Sequence, residues 1–139
     1  MADARVVAKL LGGRMVLGRR VQTAMDLHEA MEGRLPREAL SYFVKGRTGL
    51  PKKEILKLVG AREAGAGRLR RRSADRLFTL ADTLAEASSA FGSETKAEQW
   101  LVAPLSSSMV NQRRPISLLT TPIGEAIVRE LIRSSAVSS

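Results

Sequence analysis

Residues 73–92, SADRLFTLADTLAEASSAFG, carry the clearest periodicity in the chain. Leu77, Leu80, Ala81, Leu84, Ala87, Ser88 and Phe91 recur at the i, i+3, i+4, i+7 spacing of one helical face. Ser73 has the chemistry of an N-cap, and Asp75 suits the positive end of a helix dipole. Gly92 supplies a left-handed stop. This helix is long enough to link what lies on either side of it and to pack on both. No strand-like alternation and no internal repeat compete with it, so the fold class read from the sequence is all-α.

Upstream of it the chain breaks into short pieces. Residues 1–20 read as a basic arm, because Gly12, Gly13 and Gly18 oppose a stable helix and Arg5, Lys9, Arg14, Arg19 and Arg20 charge it. Val6, Val7, Leu10 and Leu11 could still form a short amphipathic turn, and the sequence leaves the structure of 1–20 open. Val21 to Glu32 reads as a helix with Ala24, Met25, Leu27 and Ala30 or Met31 inward, ended by Gly33. Pro36 sits at the next helix start, followed by Arg37 to Lys45 with Ala39, Leu40, Phe43 and Val44 on one face. Pro51 to Val59 places Ile55, Leu56 and Val59 at helical spacing, and Ala61 to Leu69 is a fourth segment interrupted by Gly65 and Gly67. Short helices with tight Gly/Pro joints fit a helix-turn-helix domain over 21–78, with Pro51–Val59 and Ala61–Leu69 as its central pair.

Downstream, Ser93 caps a helix from Glu94 to Leu101 with Ala97, Trp100 and Leu101 on one face, ended by Pro104. Residues 102–114 read as a polar loop containing Ser106, Ser107, Ser108, Asn111 and Gln112. Pro115 opens a turn holding Ile116, Leu118 and Leu119. Thr121 caps the last helix, with Pro122 at its first position, and the helix is expected to end near Arg133. Ile123, Ile127 and Leu131 are its expected inner stripe, widened by Val128 and Ile132. Ser134 to Ser139 is expected to be a mobile tail.

The charge is as unevenly placed as the periodicity. The 139 residues carry a net charge of +9. Residues 1–72 hold 17 Lys/Arg against 7 Asp/Glu, whereas residues 73–139 hold 6 against 7. An anionic partner for the first half, nucleic acid foremost, is the expectation. Lys52, Lys53, Arg62, Arg68, Arg70, Arg71 and Arg72 are the candidate DNA-binding residues. Gly65 and Gly67 each cost about 1 kcal/mol in a helix interior, which weakens base readout by 61–69 and leaves phosphate contact to the arginines.

Several functions are excluded or made improbable by composition. There is no Cys, so no disulfide and no thiolate metal site. The single His28 cannot build a zinc site and reads as a helix-surface residue. No Ser/His/Asp arrangement or carboxylate pair supports catalysis, so the chain is read as non-enzymatic and in need of no cofactor. No apolar run is long enough for a bilayer, and Leu10 and Leu11 are cut short by Gly12, Gly13 and Arg14 where a signal peptide needs a longer core. A cytoplasmic protein without membrane contact is expected.

One composite pattern is more specific. Ala90-Phe91-Gly92, then Ala97-Glu98-Gln99-Trp100-Leu101, then Arg114-Pro115-Ile116-Ser117-Leu118-Leu119-Thr120-Thr121, then Gly124 and Val128 to Leu131, resembles the toxin-binding domain of the Xre/MbcA/ParS antitoxins. Upstream, Leu35-Pro36, Leu50-Pro51 and Ser73 to Leu77 resemble the Xre-type helix-turn-helix domain of the same family. The resemblance implies an N-terminal Xre-like domain joined by a long helix to a small helical toxin-binding domain over 79–139. It further implies a RES-domain toxin as partner, an enzyme that consumes NAD by degrading it or by ADP-ribosylation, with the antitoxin covering its cleft and repressing the shared operon. A homodimer, or a higher hetero-oligomer with the toxin, is expected.

The residues that this reading assigns to the toxin are Trp100, Arg114, Pro115, Leu118, Thr120, Thr121, Gly124, Arg129 and Arg133. Each has a plainer alternative. Trp100 also suits a small core, Thr121 and Gly124 also suit a capped helix start, and Arg129 and Arg133 also suit an exposed helical face. The competing function is a stand-alone helix-turn-helix regulator that dimerises through its C-terminal domain. A general nucleic-acid-binding protein is a third, which leaves the near-neutral C-terminal half unexplained.

Overall fold

The structure, a computed structural model, describes residues 1–104 and 113–138. Among the described residues it holds eight α-helices, one turn of 3-10 helix and no strand. None of these helices is long and apolar enough to cross a membrane.

The decisive stretch forms the longest helix, α6 (Arg71–Phe91). Every residue from Leu80 to Ala85 is buried, so the middle of α6 is enclosed on all sides rather than along one stripe. Helices α1 (Ala4–Leu10), α5 (Lys52–Val59), α7 (Glu94–Val102) and α8 (Pro122–Ser138) pack against it. The buried apolar side chains form one cluster from Ala4 to Ile132. α6 starts two residues before Ser73, with Arg70 at the cap position. Ser73 therefore does not cap the helix; its hydroxyl faces the Gly60 carbonyl oxygen at 3.4 Å.

The first twenty residues are folded, which corrects the expectation of an arm. Asp3 accepts from the Arg5 N–H and caps α1, whose Ala4, Val7 and Ala8 are buried together with Leu11. That 4-7-8-11 stripe outweighs the glycines, which only end α1 and begin α2 (Gly13–Leu17). α3 (Ala24–Glu32) opens on a reciprocal Thr23–Asp26 capping box and buries Leu27. Met25, expected inward, is 63% exposed. α4 (Arg37–Gly46) buries the four residues expected of it, and α5 buries Ile55, Leu58 and Val59, with Leu56 half-buried.

Residues 61–69, expected as a helix, are a loop. Gly65 and Gly67 have φ of 118° and 90°, outside helical space. The loop is tied to the start of α4 by an isolated bridge between Pro36 and Arg68. The Arg37 N–H donates to the Gly67 carbonyl at 3.0 Å, and the Leu69 N–H donates to the Leu35 carbonyl at 2.9 Å. These pairings satisfy backbone groups that a helix would otherwise have satisfied.

In the last part of the chain, Ser93 caps α7 and Gly92 ends α6 as expected. Pro115–Leu118 forms the 3-10 turn, and Thr121 Oγ1 accepts from the Gly124 N–H at 3.0 Å to cap α8. The inner face of α8 differs from the expected one. Gly124, Val128 and Ile132 are buried, while Ile127 and Leu131 are half-buried and Ile123 is 76% exposed. A methyl at Gly124 would overlap the Leu118 carbonyl, so this face is the one along which the 3-10 turn comes closest to α8. α8 continues to Ser138, where a mobile tail was expected from Ser134. The polar-loop expectation for Ser106, Ser107, Ser108, Asn111 and Gln112 lies outside the described residues.

Candidate functional site

The residues of the composite pattern lie together. Phe91 and Trp100 meet at 5.4 Å between ring centroids, tilted by 54°, and both are half-buried against the core. Pro115, Ile116 and Leu119 are buried, and Leu118 packs against the same core. Within the proposed contact set, Trp100, Pro115, Leu118 and Gly124 thus support the shape of the unit. Thr120 and Thr121 are exposed. Arg114 forms an ion pair with Glu54 of α5, which fastens the 3-10 turn to the N-terminal half.

Arg129, assigned to the toxin by the sequence reading, is engaged inside the fold. Its guanidinium sits 2.5 Å from Asp82, 2.8 Å from Glu125 and 3.3 Å from Glu86. Asp82 is 1% exposed and also accepts from the Ala2 N–H at 2.8 Å. Burial works against the Arg129 charge, and Asp82, Glu86 and Glu125 outweigh it, holding the guanidinium above its ordinary pKa. Arg133, one turn on, is exposed and lies 3.6 Å from Glu130. The two arginines therefore do not act as a pair.

A second internal tie joins the α4–α5 connection to α7. Arg47 is half-buried with its side chain 8% exposed, lies over the Phe43 ring at 5.2 Å, and pairs with Glu94 and with Glu98 at 3.9 Å. Gly49 approaches so closely that a Cβ there would press on the Glu98 side chain. Burial pushes the Glu98 carboxyl up, Glu94 adds to this, and Arg47 and the Gly49 N–H oppose it.

Of the candidate DNA-binding residues, Lys53, Arg62, Arg70, Arg71 and Arg72 border clefts, and Lys52 and Arg68 do not line them. Arg37, Arg62 and Arg70 line an open cleft of about 540 Å³ with Gly60 and Ser73. Arg37 Nη1 donates to the Arg62 carbonyl at 2.7 Å, and Arg68 Nη1 donates to the Arg34 carbonyl at 2.6 Å. A second cleft, of about 590 Å³, lies between the starts of α6 and α8, where Arg71, Arg72, Arg76, Thr120 and Thr121 line it together with Asp75 and Glu125. A third, of about 530 Å³, holds Lys53, Lys57, Arg113 and Arg114 beside Thr120. Lys52 faces Glu63 at 2.7 Å. Arg70, Arg71 and Arg72 stand at the N-terminus of α6, which has no acidic residue in its first turn. Cations at that end cost roughly 0.3–1 kcal/mol each against the helix dipole, so local helix stability does not explain the cluster.

Sequence reasoning missed Asp82, Glu86, Arg37, Lys57 and Arg76. The only signal for Asp82 was an acid inside an apolar stretch, and nothing in the sequence joined it to Arg129, 47 positions away. His28 lies on the surface within 3.4 Å of Glu32. Among the described residues no group of three His, Cys, Asp or Glu side chains is placed to hold a metal ion. No family model matches the chain, and no curated relative matches it.

Proposed function

We propose that this chain is a non-enzymatic antitoxin that holds an NAD-consuming RES-domain toxin through its C-terminal helical unit and grips operator DNA with its basic surface. The observation that supports this reading is the convergence of the resembling residues. Phe91, Trp100, Ile116 and Leu119 are spread along the chain yet pack on the one core, Gly124 lies against Leu118, and beside them Thr120, Thr121 and Ile123 are exposed. Ile123 is the large apolar side chain that a partner would cover. In this reading residues 21–78 are the Xre-like domain, and its DNA contact is to phosphates, because the 61–69 loop offers no recognition helix.

A specific interface of this kind buries about 1,200–2,000 Å² in total. Co-expression with the toxin encoded beside it tests the reading. Relief of growth arrest and a co-purified complex are expected, and Ile123→Asp is expected to weaken that complex. Unrelieved arrest with no complex overturns the assignment. The stand-alone regulator remains the second reading, favoured by the arginine cluster at the start of α6. It requires tight, promoter-selective binding without a partner, and a gel shift with no preference for the chain's own promoter counts against it.

A further inference from the structure

The sequence divides the charge at residue 72, but the surface does not. The first cleft ends at Arg70 and Ser73, and the second begins at Arg71 and Arg72 on the same helix end. The second and third clefts share Thr120. Arg76 Nη1 donates to the Leu58 carbonyl at 3.2 Å, which ties α6 to the end of α5 where the third cleft lies. The three clefts therefore form one belt, and its far end, with Arg113, Arg114 and Thr120, belongs to the C-terminal unit. We infer that this belt binds the phosphate backbone of double-stranded nucleic acid, independently of sequence, with Arg113 and Thr120 extending the contact beyond the basic N-terminal half. The inference rests on the nucleic-acid part of the reading above and adds to it residues from the half that composition left near neutral.

The chemistry of the belt selects this ligand. Of the described residues, three carboxylates line the belt: Glu54 is engaged with Arg114 and Glu125 with Arg129, while the exposed Asp75 is outnumbered by Arg71, Arg72 and Arg76 in the same cleft. Its arginines at Arg37 and Arg76 are held by backbone carbonyls, which orient a guanidinium without cancelling its charge. Among the described residues no aromatic side chain lines any of the three clefts, so single-stranded bases find no stacking platform there. Protein interfaces are enriched in aromatic, Met and Arg side chains; among the described residues this belt has the arginines but neither aromatics nor Met. Phosphate oxygens need only positive charge and hydrogen-bond donors, which the arginines and the Thr120 hydroxyl supply.

The test uses the full chain and a short labelled DNA duplex of random sequence, titrated over a range of salt. The expected result is a linear fall of log K with log salt. Arg113→Ala and Arg72→Ala should each flatten that slope by about 0.9, the value for one phosphate contact. Thr120→Glu, which places a carboxylate where two clefts meet, should weaken binding further. Lys96→Ala, an exposed cation on α7 away from the belt, should leave the slope unchanged. If the duplex binds and Arg72→Ala flattens the slope while Arg113→Ala and Thr120→Glu match the parent, the extension onto the C-terminal unit is wrong and the nucleic-acid reading stands. If the parent chain shows no salt-dependent binding, both fall. Tighter binding to single strands than to duplex overturns the choice of ligand.

Discussion

In the seam between α6 and α8, Arg129 is enclosed by Asp82, Glu86 and Glu125, whereas around the 61–69 loop Arg37, Arg68 and Arg76 donate to backbone carbonyls. The side chain is the same and its use is opposite. Three carboxylates cancel the charge of Arg129 and lock α8 onto the central helix. A carbonyl orients a guanidinium and leaves its charge to act on something outside the molecule. The nature of the partner atoms, rather than the place of an arginine along a helix, separates a residue that holds the fold from one available for an anion.

Breaking the seam should have the largest effect. Arg129→Leu leaves buried Asp82 without its arginine, with the Met1 ammonium, 3.4 Å from Glu86, as the remaining cation for three carboxylates, and stability should fall by about 3–5 kcal/mol. Denaturant unfolding measures this, and a loss below 1 kcal/mol would refute the structural role given to Arg129. Gly124→Ala comes next. Its methyl collides with the Leu118 carbonyl, so the 3-10 turn and α8 must separate, with an expected loss of about 1–3 kcal/mol in the same assay.

The loop side of the comparison predicts binding changes without loss of fold. Arg71→Glu with Arg72→Glu should remove the steepest part of the salt dependence of duplex binding. The melting temperature should hold or rise, because carboxylates suit the N-terminus of α6 better than arginines do. A melting temperature that drops with the affinity would place these arginines with Arg129 as structural.

The smallest effect concerns Glu98, whose folded-state pKa is raised by burial and by Glu94. A raised pKa means that the folded chain holds this proton more tightly than the unfolded chain. Its contribution is therefore fully present below the unfolded value and is lost as pH rises through the folded one. Glu98→Gln does not titrate there. The stability of the parent chain relative to this variant should accordingly improve as pH falls through that window, by at most about 1.4 kcal/mol per pH unit. Urea midpoints across the acid range measure it, and a difference that moves the other way would show that Arg47 dominates the site.

Much of the local structure was legible before the fold was known. The Leu77–Phe91 periodicity, the Ser93 and Thr121 caps, the Gly92 stop and the inward face of α4 all follow from rules that act over three or four residues. The glycines misled in one direction and informed in the other. At Gly12 and Gly13 they masked a stripe at Ala4, Val7, Ala8 and Leu11 that buries α1, while at Gly65 and Gly67 they correctly opposed a helix in 61–69.

By itself, then, the sequence determined that the chain is helical, where most helices begin and end, and that its excess charge lies before residue 73. Only the tertiary structure decided which arginines that charge leaves available, which face of α8 turns inward, and that Arg113 and Thr120 stand beside Lys53 and Arg72. The reason is range. Helix periodicity and capping are set by neighbours within one turn. Cancellation of a charge and rotation of a helix are set by atoms from segments that meet only when the core closes: Asp82 with Arg129, and Glu54 with Arg114.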